Sequence, residues 1–316
     1  MNRRNLVICR AGPGSLHPRW LDDPSSRNWD LIVSAYHDDT PLTGDEIFVH
    51  RFAGAKMPGL ADLFARHWDL VAPYDRIWLP DDDLDVDQAT IDRMFDLASR
   101  HDLELFQPAL THDSYISWVI TLQHAGFALR FTNFIEIMAP AFTTRLLAQL
   151  RDSFSTSVIG WGLDFFWPRF TQLGQTAIID AAPVRHTRPV GGTMSWAGFA
   201  TEAEMATAIG LWTARYIPDI NWRLAINFGG ITVDNELLHY ADDKIVLERF
   251  LAALEAGIAG VQIKPPRLPA MLTDYIKTHQ AFGRARNKVG LFHGIETVLA
   301  DRQDAVRQRG AGTPGD

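Results

Sequence analysis

A dense group of carboxylates follows a short apolar run near residue 80. In "RIWLPDDDLDVD" (76–87), the apolar residues 77–79 lead through a proline into three consecutive aspartates at 81–83, with Asp85 and Asp87 beyond them. Like charges about 4 Å apart repel by roughly 1 kcal/mol in water and about 4 kcal/mol near a protein surface. Such crowding predicts a compensating positive charge, and a bound cation is its simplest source.

Two structural explanations compete with cation binding. Asp85 and Asp87 precede a helical pattern, and either is suited to cap the N-terminus of that helix. Alternate aspartates from residue 81 also follow the spacing of an EF-hand calcium loop, with Asp92 at the twelfth position. However, Val86 stands at the sixth position, where the sharp turn of that loop needs glycine, and the preceding element is strand-like. Capping therefore explains the last two aspartates, and the sequence argues against an EF-hand.

The first and third aspartates of the run can share one divalent ion. In an extended segment Asp81 and Asp83 point to the same side, while Asp82 faces elsewhere. Mg²⁺ and Mn²⁺ bind one or two carboxylates together with phosphate oxygens of a ligand and water. The pattern therefore predicts a metal-diphosphate site suited to a nucleoside-diphosphate sugar.

The elements around this run predict an α/β sheet with parallel strands. Short apolar runs alternate with segments whose apolar residues recur at helical spacing. In such sheets ligands bind beyond the carboxyl ends of the strands, where the aspartates at 81–83 stand. The predicted strands are 5–9, 29–36, 75–79 and 103–110, and the predicted helices are 59–71 and 91–98.

Beyond about residue 111 the alternation loosens and then becomes mostly helical. Strand-like stretches occur in 127–140 and 176–186, and a helical one in 141–154. After residue 200 the sequence predicts helices that are interrupted by a hairpin over 222–240; these helices are 202–215, 243–257 and 270 to about 305. We therefore predict three parts, which are a catalytic sheet domain (1–200), a mostly helical extension with the hairpin (201–305) and a disordered tail (306–316).

Composition narrows the class of protein. The chain has 316 residues, 47% of them hydrophobic, and a formal net charge of −8. This suits a globular protein with a sizeable core, and the lack of a long basic run argues against a nucleic-acid surface. Cys9 is the only cysteine, which excludes an internal disulfide and suits a reducing compartment. No apolar stretch reaches the roughly 20 residues that span a bilayer, so we predict a cytoplasmic protein without a transmembrane segment.

Several motifs together resemble a known family. "YDRIWLPDDDL" resembles the D-x-D strand of the GT-A glycosyltransferases, and "GWGLDF" (160–165) the G-W-G-x-[ED] segment of their galactosyltransferase-like members. "PVRHTRP" (183–189) stands where those enzymes often place a late histidine. More closely, "WLPDDDL", "FQPAL", "EIMAPAF", "GWGLDF" and "VRHTRPVG" look like the DUF707 family, whose members occur in plants and bacteria and are regarded as glycosyltransferases. The resemblance covers roughly residues 1–195 and implies a GT-A-like sheet flanked by helices.

The resemblance implies a role for the matching residues. Asp81 and Asp83 would hold Mn²⁺ or Mg²⁺, with His186 as a third ligand. A histidine that ends a strand for packing reasons explains His186 equally well. Asp164 would be the catalytic base, but Phe165 follows it where the galactosyltransferase-like pattern continues with acidic residues.

Two further motifs supply the candidate residues on the acceptor side of the predicted site. Glu136, in "FIEIMAP", binds acceptor hydroxyls, acts in place of Asp164, or belongs to a buried structural pair. Trp161 stacks on a sugar ring or packs in the core. Gly160 and Gly162 beside it predict an exposed, tightly turned loop.

The donor side is predicted from loops that follow the first strands and from basic residues. Each candidate also has a structural explanation, because surface charges are usually only solvated. The residues predicted to contact the nucleotide or its diphosphate are Arg10, Ala11, Asp38, Lys56, Asp82, Arg185 and Arg188.

These observations predict a metal-dependent glycosyltransferase. Its donor would be a nucleoside-diphosphate sugar, UDP-linked as is common for the fold, and its acceptor a hydroxyl of a carbohydrate or glycoconjugate. With the base opposite the leaving group the reaction would invert the anomeric carbon, and a retaining route stays open. The alternatives are a non-catalytic nucleotide-sugar-binding or scaffolding protein and a metal-dependent nucleotidyl-transfer enzyme. The amphipathic helices after residue 200 suit an acceptor cover, a dimer interface or peripheral membrane contact.

Overall fold

The computed structural model describes residues 3–189, 225–239, 243–259 and 268–285. They form a mixed α/β fold around one eleven-stranded sheet. The strands are β1 (Asn5–Ala11), β2 (Trp29–Ala35), β3 (Glu46–Arg51), β4 (Arg76–Trp78), β5 (Leu84–Asp85), β6 (Leu105–Leu110), β7 (Phe127–Thr132), β8 (Ala141–Thr143), β9 (Thr176–His186), β10 (Asn227–Thr232) and β11 (Leu237–His239). The helices are α1 (Lys56–Val71), α2 (Gln88–Arg100), α3 (Thr144–Leu150), α4 (Leu163–Phe166), α5 (Asp243–Ile258) and α6 (Leu268–Ala285).

The sheet is parallel in one half and mainly antiparallel in the other. Its strand order is β11-β10-β7-β9-β6-β8-β4-β1-β2-β3, and β5 pairs with β9 off this path. Strand β4 and the three strands β1, β2 and β3 run parallel, as does the pair β6–β9. β8, β7, β10 and β11 join by antiparallel pairing. The predicted α/β class is confirmed, whereas the expectation of parallel strands holds for only part of the sheet.

Both faces of the sheet are covered, which is why its central strands are apolar throughout. Along β1, Leu6 and Ile8 pack into one hydrophobic cluster, while Val7 and Cys9 pack into the other. Successive side chains of a strand point to opposite faces, so continuous apolar runs mark strands that are buried on both sides. Helices α1 and α3 cover the first face, and α2, α5 and α6 contribute to the second.

The first helix of the second face, α2, begins three residues before the predicted range 91–98, directly after Asp87. Asp87 caps α2 by accepting a hydrogen bond from the Thr90 backbone N–H at 2.8 Å. This confirms the capping role for Asp87. Asp85 instead lies in β5, with its Oδ1 3.9 Å from the Arg19 guanidinium.

Some of these segments differ from the prediction and others match it. Strand β3 was not predicted, and β8 occupies the start of the predicted helix 141–154, so that the helix begins only at Thr144. The predicted hairpin exists as β10 and β11, and it extends the sheet by pairing with β7. The predicted helix 202–215, the end of the helix from 270 and the predicted tail lie outside the described residues. No helix within the described residues is long and apolar enough to cross a membrane.

Candidate active site

The three consecutive aspartates lie just beyond the carboxyl end of β4, and each one contacts a different basic side chain. None of the three partners is close to the aspartates in sequence. The pairs are Lys56 Nζ with Asp81 Oδ1 (2.7 Å), Arg188 Nη1 with Asp82 Oδ1 (3.1 Å) and His186 Nε2 with Asp83 Oδ2 (3.2 Å). We call these six residues the acidic corner. Protein cations therefore offset much of the repulsion that the sequence suggested.

Asp82 ties together the loop after β1, the end of β2 and the end of β9. Its Oδ2 accepts hydrogen bonds from the Gly12 backbone N–H at 2.9 Å and from the Tyr36 hydroxyl at 3.1 Å. Arg188 also donates to the Gly14 carbonyl at 2.6 Å. A Cβ atom at Gly12 would lie 2.1 Å from the Tyr36 ring, so the close approach of this ring requires glycine. Asp82 and Arg188 thus shape the loop where the nucleotide is predicted.

His186 ends β9 with its ring held in one orientation. Its Nδ1 lies 2.8 Å from the Tyr115 carbonyl oxygen and donates to it, which leaves Nε2 directed at Asp83. Burial lowers the pKa of His186, but the hydrogen bond and charge of Asp83 outweigh burial and raise this pKa to about 9. The structure thus places the His186 ring beside Asp83, and its role as a metal ligand stays a prediction.

Residues 136–138 connect the acidic corner to two further carboxylates. Lys56 Nζ donates to the carbonyls of Ile137 and Met138, each at 2.8 Å, in addition to Asp81. The backbone N–H of Ile137 donates to Asp164 Oδ1 at 2.7 Å. The same short backbone segment therefore contacts both the acidic corner and Asp164.

Glu136 and Asp164 form a buried pair of carboxylates. Each residue is 5% exposed. Burial raises the pKa of Glu136 to about 8, and the charge of Asp164 adds to the rise. Burial likewise raises the pKa of Asp164 to about 7, although the backbone N–H groups of Ile137 and Gly162 lower it. Glu136 Oε2 is buried and has no hydrogen-bond partner among the described residues. Carboxyl groups with pKa values near neutrality can both accept and donate protons at physiological pH.

The glycines before Asp164 are needed for the turn that places this side chain. Gly160 (φ 83°) and Gly162 (φ 96°) adopt the left-handed conformation, and Gly162 precedes α4. The loop is tightly turned as predicted, but both glycines are buried rather than exposed, and Trp161 is half-buried. A Cβ atom at Gly160 would lie 2.7 Å from the Met57 methyl group, so the loop packs directly on α1.

The remaining donor-side candidates lie away from the acidic corner or inside the protein. Arg10 is buried, and its guanidinium donates to the Ser34 hydroxyl and to the Phe52 and Gly54 carbonyls. The other three form ordinary structural or surface contacts: Ala11 is buried, Asp38 is fully exposed beside Arg51, and Arg185 pairs with Asp113 at 3.0 Å.

One segment that the sequence analysis did not single out contacts the site at several points. It follows β6 and runs over residues 114–118, "SYISW". The Ser114 hydroxyl accepts from the His186 backbone N–H at 3.0 Å, and the Tyr115 carbonyl accepts from the His186 ring. The Ser117 side chain lowers the pKa of Glu136, against the effect of burial. Its position just after a strand end, where ligands bind in α/β sheets, was the available signal.

The donor atoms of the acidic corner suit a divalent cation, but they are not already gathered around one point. Among the described residues, no three His, Cys, Asp or Glu side chains are arranged to hold a metal. Asp83 Oδ1 is nevertheless buried and has no hydrogen-bond partner within the described ranges, and the oriented His186 Nε2 lies beside the same carboxylate. Carboxylate oxygen and imidazole nitrogen are ligands that Mn²⁺ accepts. Asp83 and His186 therefore fit as a two-residue core for a metal.

Comparison with known proteins gives one family and several distant structures. Residues 60–194 match the family model described as "Protein of unknown function (DUF707)", which confirms the resemblance to this family over that part of the chain. No curated protein matches the chain.

Similar solved structures include S. aureus TarS 1–349 in complex with UDP-GlcNAc (11% identity, 96% of this chain and 90% of that chain, TM-score 0.43). Another is S. aureus TarS 1–349 (9% identity, 90% and 91%, TM-score 0.41), and a third is A197 from STIV (9% identity, 75% and 93%, TM-score 0.35). These likenesses are too distant to inform the reaction.

Proposed function

We propose that this protein is a metal-dependent glycosyltransferase that moves a sugar from a nucleoside diphosphate, UDP on the precedent of the fold, to an acceptor hydroxyl. The observation that carries the proposal is the buried pair of Glu136 and Asp164, which the backbone of residues 137 and 138 links to the acidic corner. Sugar transfer needs positive charge at the departing diphosphate and a proton acceptor at the attacking hydroxyl. A divalent ion held at the acidic corner would supply the first, and the buried carboxylate pair would supply the second.

The acidic corner would hold the diphosphate end of the donor through a divalent ion. Each aspartate is already matched by a basic side chain, so the corner has little positive charge to spare for a diphosphate. Asp83 and His186 would hold the ion, and Asp81 would join them by exchanging its contact with Lys56. When bound, Mn²⁺ or Mg²⁺ supplies Lewis-acid stabilisation of the charge that develops on the leaving group. Arg188 and the loop after β1 would bind the nucleotide.

Asp164 is the proposed base. A pKa of about 7 leaves a large fraction of Asp164 ionised at neutral pH, so it can accept the proton of the acceptor hydroxyl. Glu136, with a pKa of about 8, is mostly protonated at the same pH. Its Oε2 has no hydrogen-bond partner in the part of the chain that the structure describes, so a protonated Glu136 would orient the acceptor hydroxyl by a hydrogen bond. A base on the face opposite the diphosphate would invert the anomeric carbon.

The test is nucleotide release from a panel of UDP-sugars in the presence and absence of Mn²⁺. We expect Mn²⁺-dependent release by the wild-type protein. Asp164→Asn should lower the rate by about 10²–10⁴-fold, which is the usual contribution of a general base, and should leave UDP binding intact. Asp164→Asn preserves the acceptor atom for the Ile137 N–H, so the loss would not reflect an unpaired backbone group.

A matched control is Asp92→Asn in α2. Asp92 is a half-buried carboxylate whose pKa is likewise raised by burial, and it accepts a hydrogen bond from the Asn28 backbone N–H at 3.0 Å. The Asp92→Asn variant should release nucleotide at the wild-type rate. Binding of UDP and Mn²⁺ without release of nucleotide from any donor would favour the non-catalytic alternative. Intact metal binding by the double variant Asp81→Ala/Asp83→Ala would contradict the metal assignment.

A further inference from the structure

The segment 114–118 ends in an aromatic residue at the surface. Trp118 is 37% exposed, although tryptophan is a large apolar side chain. The covered part of its indole packs on Phe134 and Phe165, with ring centroids at 5.0 Å and 5.6 Å. These two phenylalanines also pack on each other at 5.0 Å, so the indole rests on a braced support. An indole held in this way is a preformed flat surface rather than a loose side chain.

This surface lies beside the buried carboxylate pair. Phe165 is adjacent to Asp164 in α4, and its partner Phe134 precedes Glu136 by two residues. The residue before Trp118 is Ser117, which is exposed and acts on the pKa of Glu136. Through Tyr115 the same segment holds the His186 ring. One stretch of five residues thus passes from the acidic corner to the carboxylate pair and ends at the exposed indole.

We propose that Trp118 is the acceptor platform, on which a pyranose ring of the acceptor carbohydrate stacks with its C–H face. This inference rests on the proposed function and names the substrate class of its acceptor half. Aromatic rings offer large, rigid contact area to apolar groups, and the face of a ring carries partial negative charge that attracts polarised C–H bonds. A sugar stacked on Trp118 would bring its edge hydroxyls toward Glu136 and Asp164, where the proton is to be removed.

The test is saturation-transfer NMR on the full chain without donor or metal, so that binding is read independently of turnover. The probes are methyl β-D-galactopyranoside and methyl β-D-glucopyranoside, which present a C–H face, and sorbitol, an open-chain polyol without one. We expect transfer to the ring C–H protons of the glycosides and little to sorbitol. Trp118→Ala should weaken glycoside binding about tenfold, and Trp118→Phe, which keeps an aromatic face, should weaken it less.

The matched control is Ile47→Ala. Ile47 is an exposed large apolar residue (48%) on β3, an edge strand of the sheet. The Ile47→Ala variant should bind the glycosides like the wild type. Thermal unfolding of each variant separates loss of binding from loss of fold. If Trp118→Ala does not fold, Trp118→Phe takes its place in the binding measurement.

Two outcomes would overturn the inference: equal transfer to sorbitol and glycosides, or glycoside transfer that is unchanged in both Trp118 variants. Nucleotide release by the wild-type protein is measured in parallel. Absence of release with Trp118-dependent glycoside binding would contradict the proposed reaction while supporting the platform.

Discussion

At the scale of single residues, Glu136 and Asp164 occupy a protein interior that disfavours negative charge on either of them. Burial raises both pKa values, and proximity separates them, to about 8 for Glu136 and about 7 for Asp164. Near neutral pH the pair holds about one proton, which is the state that an acid–base function requires.

The pH dependence of the reaction follows from this pair. The rate should rise as pH increases through about 7, where Asp164 loses its proton, and should fall above about 8, where Glu136 loses the proton that it donates. Glu136→Gln keeps a hydrogen-bond donor that does not ionise, so the fall at high pH should disappear and the rise near 7 should remain. The measurement is the pH profile of Mn²⁺-dependent nucleotide release. If the rate of Glu136→Gln still falls at high pH, another group causes this fall. The control variant Asp92→Asn should show both the rise near pH 7 and the fall above pH 8.

The sequence foresaw the acidic corner better than it foresaw what neutralises that corner. Repulsion among the aspartates correctly indicated a nearby positive charge, because this follows from charge and spacing alone. The structure supplies three basic side chains, from Lys56, His186 and Arg188. Of these three, only His186 was predicted to act together with the aspartates, as a third ligand of their metal ion. The other two contacts were not predicted, because a contact between residues far apart in the chain leaves no local spacing to recognise. Trp118 was missed for the same reason.

At the scale of elements, a buried polar network fastens α6 to the sheet. The His279 Nε2 accepts a hydrogen bond from the Asn227 backbone N–H at 2.9 Å, and its Nδ1 donates to the Tyr275 carbonyl at 2.8 Å. The Tyr275 hydroxyl in turn accepts from the Asn227 side chain at 2.9 Å. Beneath this network, Arg130 and Asp180 form a fully buried ion pair between β7 and β9. A histidine that accepts from a backbone N–H must be neutral, so the network depends on pH.

Acid should weaken this attachment. Burial lowers the pKa of His279 to about 4, whereas an unfolded chain binds that proton near pH 6.5. The contribution is therefore complete above about pH 6.5 and declines as pH falls toward 4, by at most about 3 kcal/mol for this one group. His279→Gln keeps an acceptor and does not titrate, so its stability should depend less on pH. The measurement is urea unfolding at several pH values between neutral and mildly acid.

The control for this experiment is His37→Gln, which changes an exposed histidine in the loop after β2. Its unfolding free energy should follow the wild-type pH dependence. If His279→Gln and the wild type lose stability in parallel as pH falls, His279 does not contribute the proposed dependence.

Elements that are buried on both faces were the ones best predicted from sequence. β1, β2, β4 and β9 stand at or within two residues of their predicted bounds, because a strand covered on both sides must be continuously apolar. β3 was missed, since it is an edge strand in which polar and apolar residues mix. β8 was assigned to a helix because three residues are too few to show a period of two.

At the scale of the whole molecule, the described parts of the chain share one sheet and the hydrophobic cluster that contains Val7. β10 pairs with β7 through residues 227–232, and Phe228 and Ile231 belong to the same hydrophobic cluster as Val7 of β1. Phe250 of α5 and Tyr275 of α6 belong to it as well. Sequence patterns placed a boundary near residue 200 because helical periodicity dominates beyond it. Periodicity reports local structure, and it does not reveal which sheet a late hairpin joins. The division into 1–200 and 201–305 stays a prediction that the following experiment tests.

A chain that ends at residue 200 is expected not to fold by itself. It would lose β10, which is one of the two strands that pair with β7. It would also lose at least four large buried side chains, Phe228, Ile231, Phe250 and Leu254. Burial of one such side chain contributes roughly 1.5–3 kcal/mol, so the loss is comparable with the whole stability of a typical domain, about 5–15 kcal/mol. The exposed edge of β7 would also favour aggregation. Solubility and cooperative thermal unfolding of residues 1–200 are the measurements, and co-expression with residues 201–316 is the control that should restore both. Cooperative unfolding of 1–200 alone would instead establish it as an independent domain, with the hairpin as an addition to a sheet that is already stable.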